Sequence, residues 1–462
     1  MTDALTGRLA DFIAQTTRHD FPDGLAAAAV RLVIDTVGVV LAGRSGGAGE
    51  RILRYAEQAC GDPGGPTSWL GIPAAAPPEL AALVSSTLGH ALDFDDELAG
   101  TGHPASILTS AILALPVRPL TGQRLIEAFV IGYEVNVRVA QLVGHRHYRK
   151  GWHTTSTIGG FGAVAAAAKL LDLDAAQIRT AFGIVGSLAS GIQRNFGSMT
   201  KPLHSGLAAR NGVLAAQLAL TGFTAAPDIL DGPRGFVDIY ADGGDHPDAL
   251  DDLGASWALL VPGATLKKYP CCYATHRPID AVLRLRAEHN LTPADVVAVI
   301  DRAPTFGLTP LIHHEPKTGL QGKFSLEYVV AAALLDGQIT LGSFTDAAVN
   351  RPEIRALMPL LDAKEDPRCR PEDPTAADSS AGTGGFHEVT IVTTDGRRLT
   401  TTVEYPSGSP KHPLSWEESR AKFRDCILAA GRDEVRGMAL FEQLRSLPEL
   451  TDVHATLERA VA

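Results

Sequence analysis

Long apolar stretches with helical spacing fill roughly the first 265 residues, and this constrains the fold more than any other feature. AAAAVRLVIDTVGVVLAG (26–43), ELAALVSSTLGHAL (79–92), GQRLIEAFVIGYEVNVRVAQLV (122–143), FGAVAAAAKLLDL (161–173) and GLAARNGVLAAQLALTGF (206–223) all repeat apolar residues at helix period. Several end in a glycine-containing stop, such as LAGRSGG and LTGF. These segments are rich in Ala and Gly, and several are apolar nearly all round. Such helices are buried on several sides and packed closely in a bundle.

The pattern changes after about residue 265. VVAVID (296–301) is a β-branched run, and HEVTIVTTDGRRLTTTVEY (387–405) alternates apolar and polar residues around Asp395-Gly396, a hairpin signal. SLEYVVAAALLDG (325–337) and PEIRALMPLL (352–361) read as helices. Residues 362–385 are rich in Pro, Ser, Gly and charge and are expected to form an exposed, mobile loop. Helical text resumes beyond YPSGSPKHPLS (405–415). A chain of 462 residues exceeds what one core usually holds. The expected fold is mainly α: a large all-helical domain (1–268 plus 406–462) with an inserted smaller α+β lid domain (269–405). Residues 265–270 and those near 405 would form a hinge that lets the lid gate a site.

The formal net charge is −11 and no Lys/Arg stripe is present, which argues against a nucleic-acid partner. An anionic substrate remains compatible, because a local cationic pocket can sit inside an acidic protein. The start MTDALTGRLADFIAQT lacks the basic and apolar regions of a signal peptide. No apolar stretch is expected to reach the ~18 residues that a membrane span needs, so no membrane partner is expected. The five cysteines lack framework spacing, and a reduced, cytoplasmic protein is expected.

Four segments carry candidate chemistry. HALDFDDELAGTGHPAS (90–106) sets Asp93, Asp95, Asp96, Glu97, His90 and His103 in apolar surroundings. Buried ionisable groups are costly and are either paired or kept for chemistry. In a helix ending near residue 95, Asp93 and Glu97 would share a face and repel, so that one titrates high. An acidic helix end with solvated carboxylates would look the same. KGWHTTSTIGGFGA (150–163) places His153 before Thr154, Thr155, Ser156 and Thr157, all natural N-caps; a plain cap with His153 on Trp152 fits equally. SGIQRNFGSMTKPLHSGLAARNG (190–212) sets Arg194, Lys201, His204 and Arg210 among small residues, suited to carboxylate recognition or simply to a cationic surface. LKKYPCCYATHRPID (266–280) holds Lys267, Lys268, Tyr269, His276 and Arg277; Cys271 and Cys272 read as inert thiols.

These segments contain no P-loop, no GxGxxG opening a βαβ unit, no HExxH and no GxSxG elbow. No nucleotide or other cofactor is therefore expected. The spacing of His90, Asp93 and His103 would suit a metal, but the nearby cations make an anion pocket more coherent.

At these segments the chain resembles the MmgE/PrpD family, whose members include 2-methylcitrate dehydratase, cis-aconitate decarboxylase and iminodisuccinate epimerase. QGKFSLEYVVAAALLDG and YPSGSPKHPLSWEESRAKF add to the match, which runs in order over essentially the whole chain. The resemblance implies a homodimer, a helical domain with an α+β lid, and a cofactor-independent site between them with no metal. It implies catalytic roles for Asp93, His103, His153 and Lys201. Glu97, Lys267, Cys272 and His276, with Arg194, are the expected substrate-binding residues. Asp93 would orient a histidine, and the cations would hold the substrate's carboxylates. The decarboxylase pattern has threonine where Glu97 stands and histidine where Cys272 stands. A protonated Glu97 would donate a proton, which favours dehydratase-type chemistry on a small di- or tricarboxylate. Decarboxylation, epimerisation and a non-catalytic carboxylate sensor are the alternatives.

Overall fold

A computed structural model describes residues 5–61, 68–98, 100–241, 246–369 and 384–461. The chain divides into two compact units, one of Met1–Ala91, Asp95–Ala264 and Trp416–Ala462, the other of Leu92–Phe94 and Thr265–Ser415.

The first unit is a helical bundle. Its helices include Leu25–Ala42, Pro78–His90, Pro104–Ala114, Gly122–Val143, Gly159–Leu170 and Thr200–Leu220. All but Pro104–Ala114, which was not among the apolar stretches read from the sequence, coincide with those stretches, although Thr200–Leu220 begins six residues earlier than its stretch. Their small residues allow backbones to approach. Thr200–Leu220 runs against Pro78–His90, and a Cβ added to Gly206 would lie 2.5 Å from the Leu83 carbonyl oxygen and 2.1 Å from Thr87 Oγ1. The chain's last part closes the bundle, with Trp416–Ala429 lying on Leu25–Ala42. There Lys422 Nζ pairs with Asp35 at 2.7 Å, both side chains being nearly excluded from solvent, and the Arg31 guanidinium sits 4.0 Å over the Trp416 ring. Burial nevertheless pushes the Asp35 carboxyl up, against the pull of Lys422.

Two expectations need correction here. Leu25–Ala42 is an 18-residue helix apolar enough to cross a membrane by length and composition, so one stretch does reach that limit; 72% of it is buried inside the structure. Its polar interruptions, Arg31 and Asp35, are met by Trp416 and Lys422.

The second unit is α+β. Its four-stranded sheet has the order Leu361–Glu365, Val296–Ala303, His387–Thr393, Arg398–Val403. The last two strands form the antiparallel hairpin around Asp395-Gly396, with Val389 opposite Thr401. Val296–Ala303 pairs antiparallel with His387–Thr393 and parallel with Leu361–Glu365, with Val299 opposite both Ile391 and Leu361. The strand Leu361–Glu365 corrects the loop expected from residue 362: its intermediate burial and edge position hide the alternation that marks a half-buried strand. Of the rest of that expected loop, Pro367–Cys369 form a short helical turn, and residues 370–383 lie outside the described residues. The helix His276–Glu288 covers the hairpin strands and the helix Leu326–Asp336. Ile279, Val282, Leu285, Tyr328, Val329, Val389 and Ile391 are the centre of this unit's core.

The close approach at Gly206 gives a direct test of bundle spacing. Gly206→Ala is expected to lower unfolding free energy by about 1–3 kcal/mol, because the added methyl meets a backbone carbonyl that cannot turn aside. Urea denaturation measures it; an unchanged midpoint would show that the two helices separate without cost.

Candidate active site

The helix Pro78–His90 stops at His90, five residues before the end expected from the sequence. Asp93 takes a left-handed backbone conformation, φ +53°. Asp93 and Glu97 are therefore not one turn apart on a helix.

Asp95 is the carboxylate that organises the loop of the first unit. Its side chain is fully buried, with Oδ1 3.0 Å from His90 Nδ1 and 3.6 Å from His103 Nδ1. His103 Nδ1 also lies 2.5 Å from the Asp96 carbonyl oxygen. Both nitrogens face acceptors, so both imidazoles carry a proton on Nδ1. On a neutral His103 the lone pair is then at Nε2. Asp96 turns its carboxylate to the Ala105 N–H at 3.1 Å, which caps the helix Pro104–Ala114 beginning just after His103. Burial, then the neighbouring Asp95, push the Asp96 carboxyl well above its usual range, and Glu97 adds to the rise. The high-titrating carboxyl is thus Asp96. Glu97 is half-buried in a short extended segment, Asp96–Glu97.

The second and third segments meet in the same unit. Trp152 and Ile192 form an isolated bridge, and the His153 N–H donates to the Gly191 carbonyl at 3.1 Å. Gly191, at φ +115°, allows this approach: a Cβ there would lie 2.6 Å from Ser156 Cβ. His153 heads the short helix Thr154–Thr157 without its side chain capping it. Its Nδ1 is 2.9 Å from Nδ1 of His204. His204 follows Lys201 by one turn of Thr200–Leu220, and both are buried. Phe196 closes edge-on to His153 at 4.9 Å, and Lys201 Nζ is 5.5 Å from the Phe196 ring centre.

Four imidazoles thus run in series. Ring centres are 4.2 Å apart for His103 and His90, 6.3 Å for His90 and His153, and 5.2 Å for His153 and His204. Burial holds His153 well below the usual imidazole range, helped by the Lys201 ammonium and then by His204, His90 and His103. Burial and Lys201 lower His204 to about 4. Both are neutral at pH 7. Arg194 stands apart, with its side chain exposed on the turn Gln193–Asn195 and no hydrogen bond or ion pair among the described residues.

In the second unit, Lys267 Nζ lies 3.2 Å from Asp93 Oδ1 and 3.2 Å from the Asp93 carbonyl oxygen, with both side chains buried. Lys323 donates to the carbonyls of Leu92 and Pro270, and its ammonium lies 4.7 Å over the Phe344 ring. The Cys272 N–H donates to the Lys323 carbonyl at 3.0 Å. Lys323 therefore ties the segment of Asp93 to that of Lys267 and Cys272. His276 is buried between Tyr269 and Tyr273, at 5.2 and 5.1 Å between ring centres. Cys272 is half-buried. Cys271 is buried against Thr275, and its thiol is pushed up to about 12 by burial, an inert state.

His90, Asp95 and His103 present donor atoms within 4.8 Å of one another, a set able in principle to hold a divalent cation. The Nδ1 protons that the observed contacts require would have to leave first, so the arrangement fits a hydrogen-bonded dyad better than a ligand set. Asp95, His90 and His204 were named in the candidate segments but given no role of their own, and Lys323 was not named from sequence. The usable signals were a lone lysine in the apolar run QGKFSLEY and a histidine one helical turn after Lys201.

The MmgE/PrpD N-terminal domain model matches residues 7–248, and the MmgE/PrpD C-terminal domain model matches residues 269–442. The chain belongs to the MmgE/PrpD family. Among curated MmgE/PrpD-like relatives, cis-aconitate decarboxylase of Mus musculus is 30% identical over 92% of this chain and 87% of its own length. The Homo sapiens cis-aconitate decarboxylase is 32% identical over 75% of this chain and 72% of its own length. The 2-methylcitrate dehydratase of Cupriavidus necator is 24% identical over 93% and 94%.

Two measurements test this geometry. His147 beside the site donates or accepts at Thr157 Oγ1 (2.7 Å), stacks on Trp152 and is lowered to about 4 by burial. A buried imidazole of depressed pKa binds its proton only in the unfolded chain between the ordinary imidazole value of 6.5 and about 4. Its contribution is therefore present above pH 6.5 and lost as pH falls through that window. The stability advantage of wild type over His147→Asn should shrink by roughly 1 kcal/mol per pH unit across it; a constant difference in urea melts would refute a neutral buried imidazole. Separately, Lys323→Met should cost about 1–3 kcal/mol in the same assay, since two carbonyls lose a charged donor. A neutral effect would deny Lys323 its clamping role.

Proposed function

We propose that this protein is a lyase acting on a small di- or tricarboxylate, transferring a proton at the carbon beside a carboxylate. The observation that carries the reading is the buried series of imidazoles beside Lys201, in a chain related along most of its length to a decarboxylase and a dehydratase. A neutral imidazole with a bare Nε2 is a base for a carbon acid near pH 7, and its protonated form returns the proton. The Lys201 ammonium supplies charge for a substrate carboxylate and for the enolate-like density that builds up when the C–H bond breaks. His103 and His153 are assigned to proton transfer, Lys201 to holding the anion. The Asp96 carbonyl positions His103 by accepting its Nδ1–H, with the Asp95 carboxylate 3.6 Å away.

In a dehydration the base takes the proton beside the carboxylate, the electron pair forms the double bond, and hydroxide leaves as water after accepting a proton. Glu97 and Cys272, which depart from the decarboxylase pattern, support this form; Glu97 is the assigned donor. A second reading, decarboxylation, is supported by the 30–32% identity to cis-aconitate decarboxylases. There the C–C bond to the departing carbon dioxide breaks, and the carbanion takes its proton from an imidazolium. The resemblance supports a cytoplasmic homodimer needing no added cofactor; light scattering of the purified chain tests the dimer.

The test is incubation with 2-methylcitrate, citrate, cis-aconitate and iminodisuccinate in deuterated buffer, followed by proton NMR. Water loss or gain with deuterium at the carbon beside a carboxylate is the expected result. Glu97→Thr should lower that rate roughly 10²-fold or more. Carbon dioxide release from cis-aconitate would select the second reading. Tight binding with neither turnover nor deuterium exchange would overturn both.

A further inference from the structure

The His153–His204 contact places two imidazole Nδ1 atoms 2.9 Å apart in a buried setting. Two N–H groups cannot face each other at that distance, and two lone pairs would repel. One proton therefore lies between them. The donor ring keeps its lone pair at Nε2, the acceptor ring keeps its proton there, and the two tautomers are opposite and interlocked.

We propose that His204 acts through His153 as a positioning and relay residue, fixing the His153 tautomer and carrying off the proton that His153 takes up. This rests on the proton-transfer role given to His153 above. In the receptive state His153 carries Nδ1–H and a bare Nε2, while His204 carries a bare Nδ1 and Nε2–H. The substrate C–H bond breaks, its electron pair stays on the carbon beside the carboxylate, and a bond forms from Nε2 of His153 to the proton. The Nδ1–H bond of His153 breaks as one forms at Nδ1 of His204. His204 then releases its Nε2 proton to water. Both rings end neutral, each in the other tautomer, and the reverse sequence delivers a proton to carbon.

The surroundings favour a relay over storage. The groups facing the pair are the Lys201 ammonium, one turn before His204 on Thr200–Leu220, with His90 at the end of Pro78–His90 and His103 beyond it. Phe196 covers the face of the pair with an uncharged ring edge. A second positive charge next to Lys201 in this buried place is costly. A lasting imidazolium at His153 is thus disfavoured, and handing the proton on removes it. A lone His153 would have to hold that charge or exchange directly with the substrate. Gly191 keeps the partners together, since its backbone carbonyl holds His153 and its missing side chain leaves room for Ser156.

The test reads the tautomers directly and does not depend on knowing the substrate. The full chain, labelled with ¹⁵N-histidine, is examined at pH 7 by long-range proton–nitrogen correlation, as wild type, His204→Gln and His204→Phe. Opposite neutral tautomers at His153 and His204 are expected in wild type. His204→Phe should release His153 into a mixture of tautomers, and His204→Gln, whose amide can still bond Nδ1, should restore a single one. With the substrate found in the panel above, His204→Phe should lower kcat roughly 10²-fold with little change in KM, and His204→Gln should recover part of it. Equal tautomers on the two rings, an imidazolium at either, or full kcat in His204→Phe would overturn the relay. His153→Gln distinguishes the two levels: if it keeps full turnover, the role of His153 itself has failed, whatever the spectra show for the shared proton.

Discussion

A carboxylate with no solvent contact is tolerated only where its charge is met, and Asp95 meets its own between His90 and His103. Most of the site geometry follows from that need. The chain leaves the helix at His90, passes through the left-handed residue Asp93, and returns so that His103 faces Asp95. Asp96 secures the return by capping the next helix with its side chain and accepting from His103 with its carbonyl. Removing the carboxylate would take from His90 its buried acceptor and leave His103 with the Asp96 carbonyl.

Close packing of small residues keeps this arrangement in register with the cations. The helix that carries Lys201 and His204 lies against the helix that ends at His90, separated by no more than the thickness that Gly206 permits. Lys201 is thereby buried near His153 and His204, whose protonation it disfavours. This part of the unit thus sets the Asp95 carboxylate beside His90 at one end, and His153 and His204, both lowered, beside Lys201 at the other. That arrangement suits an anion that must lose a proton and be stabilised as it does so. In the second unit a different device, the Lys323 ammonium on two backbone carbonyls, sets the segments that bear Asp93, Lys267 and Cys272.

The architecture was legible where burial imposes a period. The apolar helices and the hairpin at Asp395-Gly396 stand out because each buries a regular face. The strand Leu361–Glu365 did not, since an edge position leaves its residues neither alternately buried nor apolar. In the site, His103, His153 and Lys201 were visible as polar residues in apolar text, and the structure brings them into one unit. The assignment of partners was not visible. Three aspartates lie within four residues, and which of them meets a histidine depends on where the helix stops. The family resemblance suggested Asp93; with the stop at His90 and the turn at Asp93, the structure sets Asp95 beside His90. The pairing of His204 was hidden for a related reason, because it lies in an Nδ1 contact across 51 residues of sequence.

The orientation of His103 is the point on which the proposed chemistry turns, and neutron diffraction from a deuterium-exchanged crystal at pH 7 measures it most directly. Deuterons on Nδ1 of both His90 and His103, aimed at Asp95 and at the Asp96 carbonyl, with Nε2 of His103 bare in the unliganded protein, are the expected result. A bare Nδ1 on His103, with its deuteron on Nε2, would contradict the assignment of the Asp96 carbonyl, beside Asp95, as the acceptor that readies His103 as a base.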